Sequence, residues 1–274
     1  MRKHFFLATL LVISLSTSGV HGSSGTSSAL SRCQDTVVGT CFLVQSSLLP
    51  EIQRKIVELR AQARTEREQG RLVAYLSTPM GDYGVGYTPL NIEIANFLAA
   101  RHEAAYQGQV WVLNPAAVQL PREARGADYM YLWTQVLAGE DGLGQGFDLA
   151  IMTGPTDVAA FFADAGKHAS ANAVDAVDRW TEHRAATDSA FRTTIAENPE
   201  RRRRFRAYYA FGASTAFSAG AHDEWNLFRL VNEKRRRRDG NPAGQLPIYF
   251  DGRLLSPAEM ETPVSPGSAC PGPG

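Results

Sequence analysis

The chain has 274 residues with 28 basic and 28 acidic side chains, so its formal net charge is zero, and 44% of it is hydrophobic. That balance gives no electrostatic pull toward nucleic acid or an anionic membrane surface. The length suits one folded core, or one core with a large insertion.

The chain opens with Arg2 and Lys3, continues through an apolar stretch from Phe5 to Leu15, and turns small and polar at Ser16, Thr17, Ser18 and Gly19. This is the order of a secretory signal peptide. Its apolar part is about a dozen residues, short of the roughly 20 that span a bilayer. Val20 and Gly22 stand at the small-residue positions of a cleavage site, which predicts a cut after Gly22 and a mature protein that is periplasmic or secreted, with no membrane partner once the signal is gone. Loss of Arg2 and Lys3 leaves that protein two charges negative. Export permits disulfides. Cys33 and Cys41 flank a short Thr/Val/Gly stretch and are expected to bridge within a leader over residues 23–50, which leaves Cys270 over. The cysteine spacing matches no metal-ligand motif.

A single α/β domain is expected over residues 51–255. Ile52, Ile56, Leu59 and Ala63 recur at the spacing of a one-faced helix, which Gly70 ends. Residues 72–77 form a short apolar run that reads as a buried strand. The loop after it holds Pro79, Gly81, Gly84 and Gly86, and lacks the Lys and Ser/Thr of a P-loop. Thr88 and Pro89 suit the cap and first position of a helix carrying Leu90, Ile94, Phe97 and Leu98. A second strand is expected over 110–114, closed by Asn114-Pro115, then a helix opened by Asp128. A third strand over 147–152 stops at Gly154-Pro155, with Thr156 able to cap the next helix. Residues 166–210 break the alternation and read as a helical insertion. A helix through Trp225, Leu227, Phe228, Leu230 and Val231 leads to a last strand over 246–250. From Ser256 the chain is rich in Pro and Gly and reads as a loosely held tail.

Strands alternating with helices predict a doubly wound, Rossmann-like parallel sheet. Ligands in such sheets bind at the carboxyl ends of the strands. Three of those ends run into loop-forming sequence at Ser77-Thr78-Pro79, Asn114-Pro115 and Thr153-Gly154-Pro155. The stretch Gly212 to Asn226 reads as small, loop-permissive residues entering a helix, with Asp223 and Glu224 in or before its first turn, where the helix dipole favours carboxylates. Capping alone accounts equally well for those two residues, and it is the stronger reading for Asp128 and Asp157. His222 with Asp223 reads as a polar loop pair, as an acid with its partner, or as two ligands.

The segments Tyr75-Leu76-Ser77-Thr78-Pro79 and Gly220-Ala221-His222-Asp223-Glu224 resemble the nucleoside 2-deoxyribosyltransferase-like proteins. In that family a first strand ends in a Tyr-Leu-x-x-Pro type segment, and a later Gly-x-x-x-Glu opens the helix before the final strand. The resemblance runs over roughly residues 71–165 and 211–252. It implies that Glu224 is the carboxylate that attacks the anomeric carbon of an N-glycoside. It further implies that Asp157 or Asp128 contacts the sugar or protonates the base, and that Tyr75 orients Glu224. Ser77, Gly81, Asn114, Gly220 and His222 complete the expected binding set for a nucleoside- or sugar-like small molecule, without cofactor or metal. The competing reading is a non-catalytic nucleotide- or sugar-binding module of the periplasm or secreted space.

Overall fold

A computed structural model describes residues 30–81, 86–165, 172–240 and 244–270. The expected signal peptide and its cleavage site lie outside the described residues. No described helix is long and apolar enough to cross a membrane.

The chain begins with a hairpin of β1 (Ser31–Asp35) and β2 (Cys41–Gln45). Cys33 and Cys41 are bridged across it, with Cα atoms 5.8 Å apart. Helix α1 (Leu49–Glu68) buries Ile52, Ile56, Leu59 and Ala63, the residues its apolar spacing singles out. Then follow β3 (Leu72–Ser77), α2 (Thr88–Ala105), β4 (Val110–Leu113), α3 (Gly126–Ala138), β5 (Leu149–Met152) and α4 (Pro155–Ala165). The insertion supplies α5 (Ala173–Thr187), the short α6 (Ser189–Phe191) and α7 (Pro199–Ala207), with wider π turns at Arg192–Ala196 and Tyr208–Gly212. The chain then forms α8 (Ala219–Asp239), β6 (Ile248–Phe250), β7 (Arg253–Leu254) and α9 (Pro257–Glu261).

The main sheet has the order β4-β3-β5-β6-β7, parallel except for the antiparallel β7 edge. The expected Rossmann-like α/β sheet with helices on both faces is therefore present. Side chains along a strand alternate between faces. Val73 and Tyr75 enter a core with α1, α3 and α8, while Ala74 and Leu76 enter a second core with α2, α4 and the insertion. Ser77 follows Tyr75 by two positions and shares its face. That parity aims both hydroxyls at α8.

Three expectations need correction. Helix α2 starts at Thr88 with Tyr87 as its cap residue, so Thr88 is already helical. Helix α8 starts at Ala219, not near Trp225, because Ser218 takes the cap and accepts from the Ala221 N–H. Ala219 and Ala221 are good helix formers, and a single Gly220 between them costs only about 1 kcal/mol. Asp223 and Glu224 therefore sit in the second turn, beyond the first-turn range of the helix dipole. The third correction concerns the tail. Ser256 and Glu259 form a reciprocal cap on α9, Met260 is buried, and the strap from Thr262 to Cys270 lies along α8 and β2. Trp225 Nε1 donates to the Thr262 carbonyl, Asn226 exchanges two hydrogen bonds with Val264, and Asp223 accepts from the Gly267 and Ser268 N–H groups.

Candidate functional site

The carboxyl ends of the parallel strands are tied together by short polar residues. Thr78 and Thr153, at the ends of β3 and β5, share a hydroxyl hydrogen bond of 2.7 Å. Thr215 donates both its N–H and its hydroxyl to the Thr153 carbonyl, 3.0 Å each. Gly154 is required at its position because a Cβ there would land on the Asp251 side chain. That aspartate accepts from the Thr156 N–H and hydroxyl at the start of α4, so Thr156 is a donor at this helix end and Asp251 satisfies it.

Beside this edge lies a cavity of about 550 Å³. One wall is Thr78, Met80 and Gly81 of the β3 loop with Ile92 of α2. Pro115, Val118 and Gln119 follow β4, and Arg125, Tyr129, Met130 and Trp133 belong to α3 or its approach. Ser218, Gly220, Ala221 and Glu224 come from the start of α8, and Ser268 comes from the strap. The volume and the mostly apolar lining with few polar groups are those of a small-molecule site.

Among the described residues Glu224 is the acidic one in that lining, and it is buried. Tyr75 donates its hydroxyl to Oε1 at 2.5 Å, and Ser77 donates to Oε2. The Tyr75 ring is fixed among Trp133, Phe147 and Phe228, with centroids 5.6, 6.4 and 6.1 Å away. Burial pushes the Glu224 carboxyl up to about 7; the Ser77 and Tyr75 hydroxyls oppose that rise, and the charge of Asp223 adds to it. The Tyr75 hydroxyl is driven well above its ordinary range by burial and then by Glu224, so it remains a neutral donor. A carboxyl half-charged near neutrality, with two fixed donors and an open cavity before it, can act as nucleophile, base or acid.

The other expected residues divide into those that reach this cavity and those that do not. Gly81 and Gly220 line it, while Tyr75 and Ser77 act through Glu224. Asp128 is fully buried but is absent from the lining. Its oxygens accept from the Gln45 N–H and Nε2 and the Arg125 N–H, joining β2 to the start of α3. Asp157 is also absent; it accepts from the Gly154 N–H, and burial raises its carboxyl. Its electrostatic partner is the half-buried His102 of α2, whose imidazole is pushed down first by burial. Asn114 caps the turn at Pro115–Ala117 and donates to Asn96. His222 pairs with the Ala216 carbonyl at 2.9 Å, and Asp223 holds the strap.

Sequence reasoning had no means of finding Arg125, Tyr129, Ser218 and Ser268 as lining residues. They converge from segments far apart in the chain, whereas Gly81, Gly220 and Glu224 are the lining residues that the sequence had singled out. Among the described residues, the one group close enough to hold a metal ion is Cys33, Cys41 and Cys270, and none of these lines the cavity. No protein-family model, curated protein or solved structure matches this chain.

Proposed function

We propose that the protein is an exported enzyme of the nucleoside 2-deoxyribosyltransferase type, which cleaves or transfers an N-glycosidic bond through Glu224. The observation that carries this reading is the buried Glu224, held by the Tyr75 and Ser77 hydroxyls against a largely apolar cavity at the carboxyl edge of a parallel sheet. A flat, apolar heterocycle suits walls made of Met80, Ile92, Val118 and Trp133. The Cys33–Cys41 bridge is compatible with an oxidising compartment.

The reaction is a displacement at the anomeric carbon. A Glu224 oxygen bonds to that carbon as the carbon–nitrogen bond breaks, and the bond pair departs with the base, which takes up a proton. Water or a second base then attacks the same carbon and returns the carboxylate. Asp128 and Asp157 are outside the cavity lining, so the proton for the departing base is assigned to neither of them. Trp225 and Asn226, the two residues after Glu224, hold the strap and are absent from the cavity lining.

The test is turnover of a nucleoside and nucleotide panel by the wild type and Glu224→Gln, with mass spectrometry for a glycosyl adduct. The amide retains the size of the side chain, and Ser77 can reverse its role to accept from the new NH₂. A covalent mechanism loses several orders of magnitude in rate while ligand affinity stays within about tenfold. Equal rates in both proteins would remove Glu224 from the mechanism. Ligand binding without turnover in the wild type would support a non-catalytic binding module instead.

A further inference from the structure

Cys270 lies far from Cys33 and Cys41 in sequence, yet the sulfurs of all three fall within 4.8 Å of one another. The cause is strand register. In the β1–β2 hairpin Cys33 faces Leu43 and Asp35 faces Cys41, so both cysteines point to the same face, two residue pairs apart. The strap adds a third, short antiparallel contact at Phe42 and Ala269. One step along that pairing sets Cys270 directly opposite Cys41, and the Cys270 N–H donates to the Cys41 carbonyl at 2.8 Å. A hydrogen-bonded antiparallel pair has Cα atoms about 5.5 Å apart. That is inside the roughly 4.4–6.8 Å range of disulfides. Cys41 thus has two partners within reach, one diagonal and bonded, one directly opposite and free.

We infer that these residues form a thiol–disulfide exchange centre, in which the bridge passes between Cys33–Cys41 and Cys41–Cys270. Cys270 loses its proton to solvent, and its sulfur lone pair attacks the Cys41 sulfur. The Cys33–Cys41 bond breaks, its electron pair leaves on Cys33, and that thiolate takes a proton from water. The step is redox-neutral and needs no other reactant. Cys33 is exposed, so the departing thiolate is solvated at once, whereas Cys41 and Cys270 are half-buried.

The consequence is mechanical. In one isomer the strap is held on the body by hydrogen bonds, chiefly to Asp223, Trp225 and Asn226; in the other its end is also covalently attached to β2. Because Ser268 of this strap lines the cavity, the exchange sets how firmly one wall is fastened. This inference is independent of any reaction at Glu224.

The experiment uses the full-length protein in a glutathione/glutathione disulfide buffer at pH 8, quenched with acid and blocked with a maleimide at low pH before peptide mapping. Both linkages are expected within about tenfold of each other, since both meet the geometric requirement, with the blocked thiol on Cys270 in one population and on Cys33 in the other. Label on Cys270 alone would overturn the inference, as would three labelled cysteines. Cys33→Ser removes the first linkage, and in the same buffer it is expected to form Cys41–Cys270. Two labelled or glutathione-capped cysteines in the folded variant would also overturn it. If that variant does not fold, the wild-type map decides the matter.

Discussion

Removing one hydroxyl tests the electrostatics of the candidate site without requiring any substrate. In Tyr75→Phe the ring and its contacts with Trp133, Phe147 and Phe228 remain, but Glu224 Oε1 loses its 2.5 Å donor. The native carboxyl, raised by burial from 4.5 to about 7, is already disfavoured as a charge by about 3 kcal/mol. A hydrogen bond to a charged group contributes about 1.5–3 kcal/mol. Its loss therefore moves the carboxyl further up, and the charged fraction at pH 7 falls from about half to between one-tenth and one-hundredth.

The sign of the stability effect follows from which protonation state the fold favours. A folded carboxyl with a raised pKa contributes no penalty below its unfolded value, and stability is lost as pH rises through the folded value. At pH 5 Glu224 is neutral in both folded proteins; at pH 9 it is charged in the wild type, while Tyr75 itself remains neutral. Urea unfolding of both proteins at the two pH values is the assay, because titration of every other group cancels in the double difference. Tyr75→Phe should be more destabilising at pH 9 than at pH 5 by about 1.5–3 kcal/mol. Equal penalties at the two pH values would refute the claim that this hydroxyl supports a buried charge, and a larger penalty at pH 5 would reverse it.

Asp223→Ala removes the acceptor of the Gly267 and Ser268 N–H groups, at 2.8 and 2.6 Å, and should cost about 3 kcal/mol; limited proteolysis should then cut first within residues 262–270. Asp128→Ala leaves the Gln45 and Arg125 donors without their carboxylate and should cost about 3–5 kcal/mol in urea unfolding, while the pH dependence assigned to Glu224 is unchanged. Gly154→Ala drives a methyl group into Asp251 and should lower stability by about 1–3 kcal/mol, with the start of α4 losing amide-exchange protection first.

Local pattern was enough for much of the architecture. The spacing of Ile52, Ile56, Leu59 and Ala63 specifies which face of α1 is buried, because that choice depends only on the helical period. Apolar runs near 72, 110, 149 and 248 separated by helical stretches specify a parallel sheet, since parallel neighbours need crossovers. The strand period also places Tyr75 and Ser77 on one face. Glu224 could be singled out by its acidic side chain, its place before the last strand and its family-like spacing from Gly220. The Cys33–Cys41 pair could be named from the closeness of the two cysteines in sequence together with the expectation of export, which permits disulfides.

Contacts between distant segments were beyond that reach. Whether a carboxylate faces a cavity or a backbone N–H is decided by what packs against it: Asp128 meets Gln45, Asp157 meets Gly154, and Glu224 meets two hydroxyls and open space. All three are acidic residues in helices near the sheet edge, and composition cannot separate them. The strap shows the same limit. Its Pro/Gly-rich sequence has too little apolar surface to signal order, and it is held instead by backbone groups bonded to Asp223, Trp225 and Asn226, partners that exist only once α8 is folded.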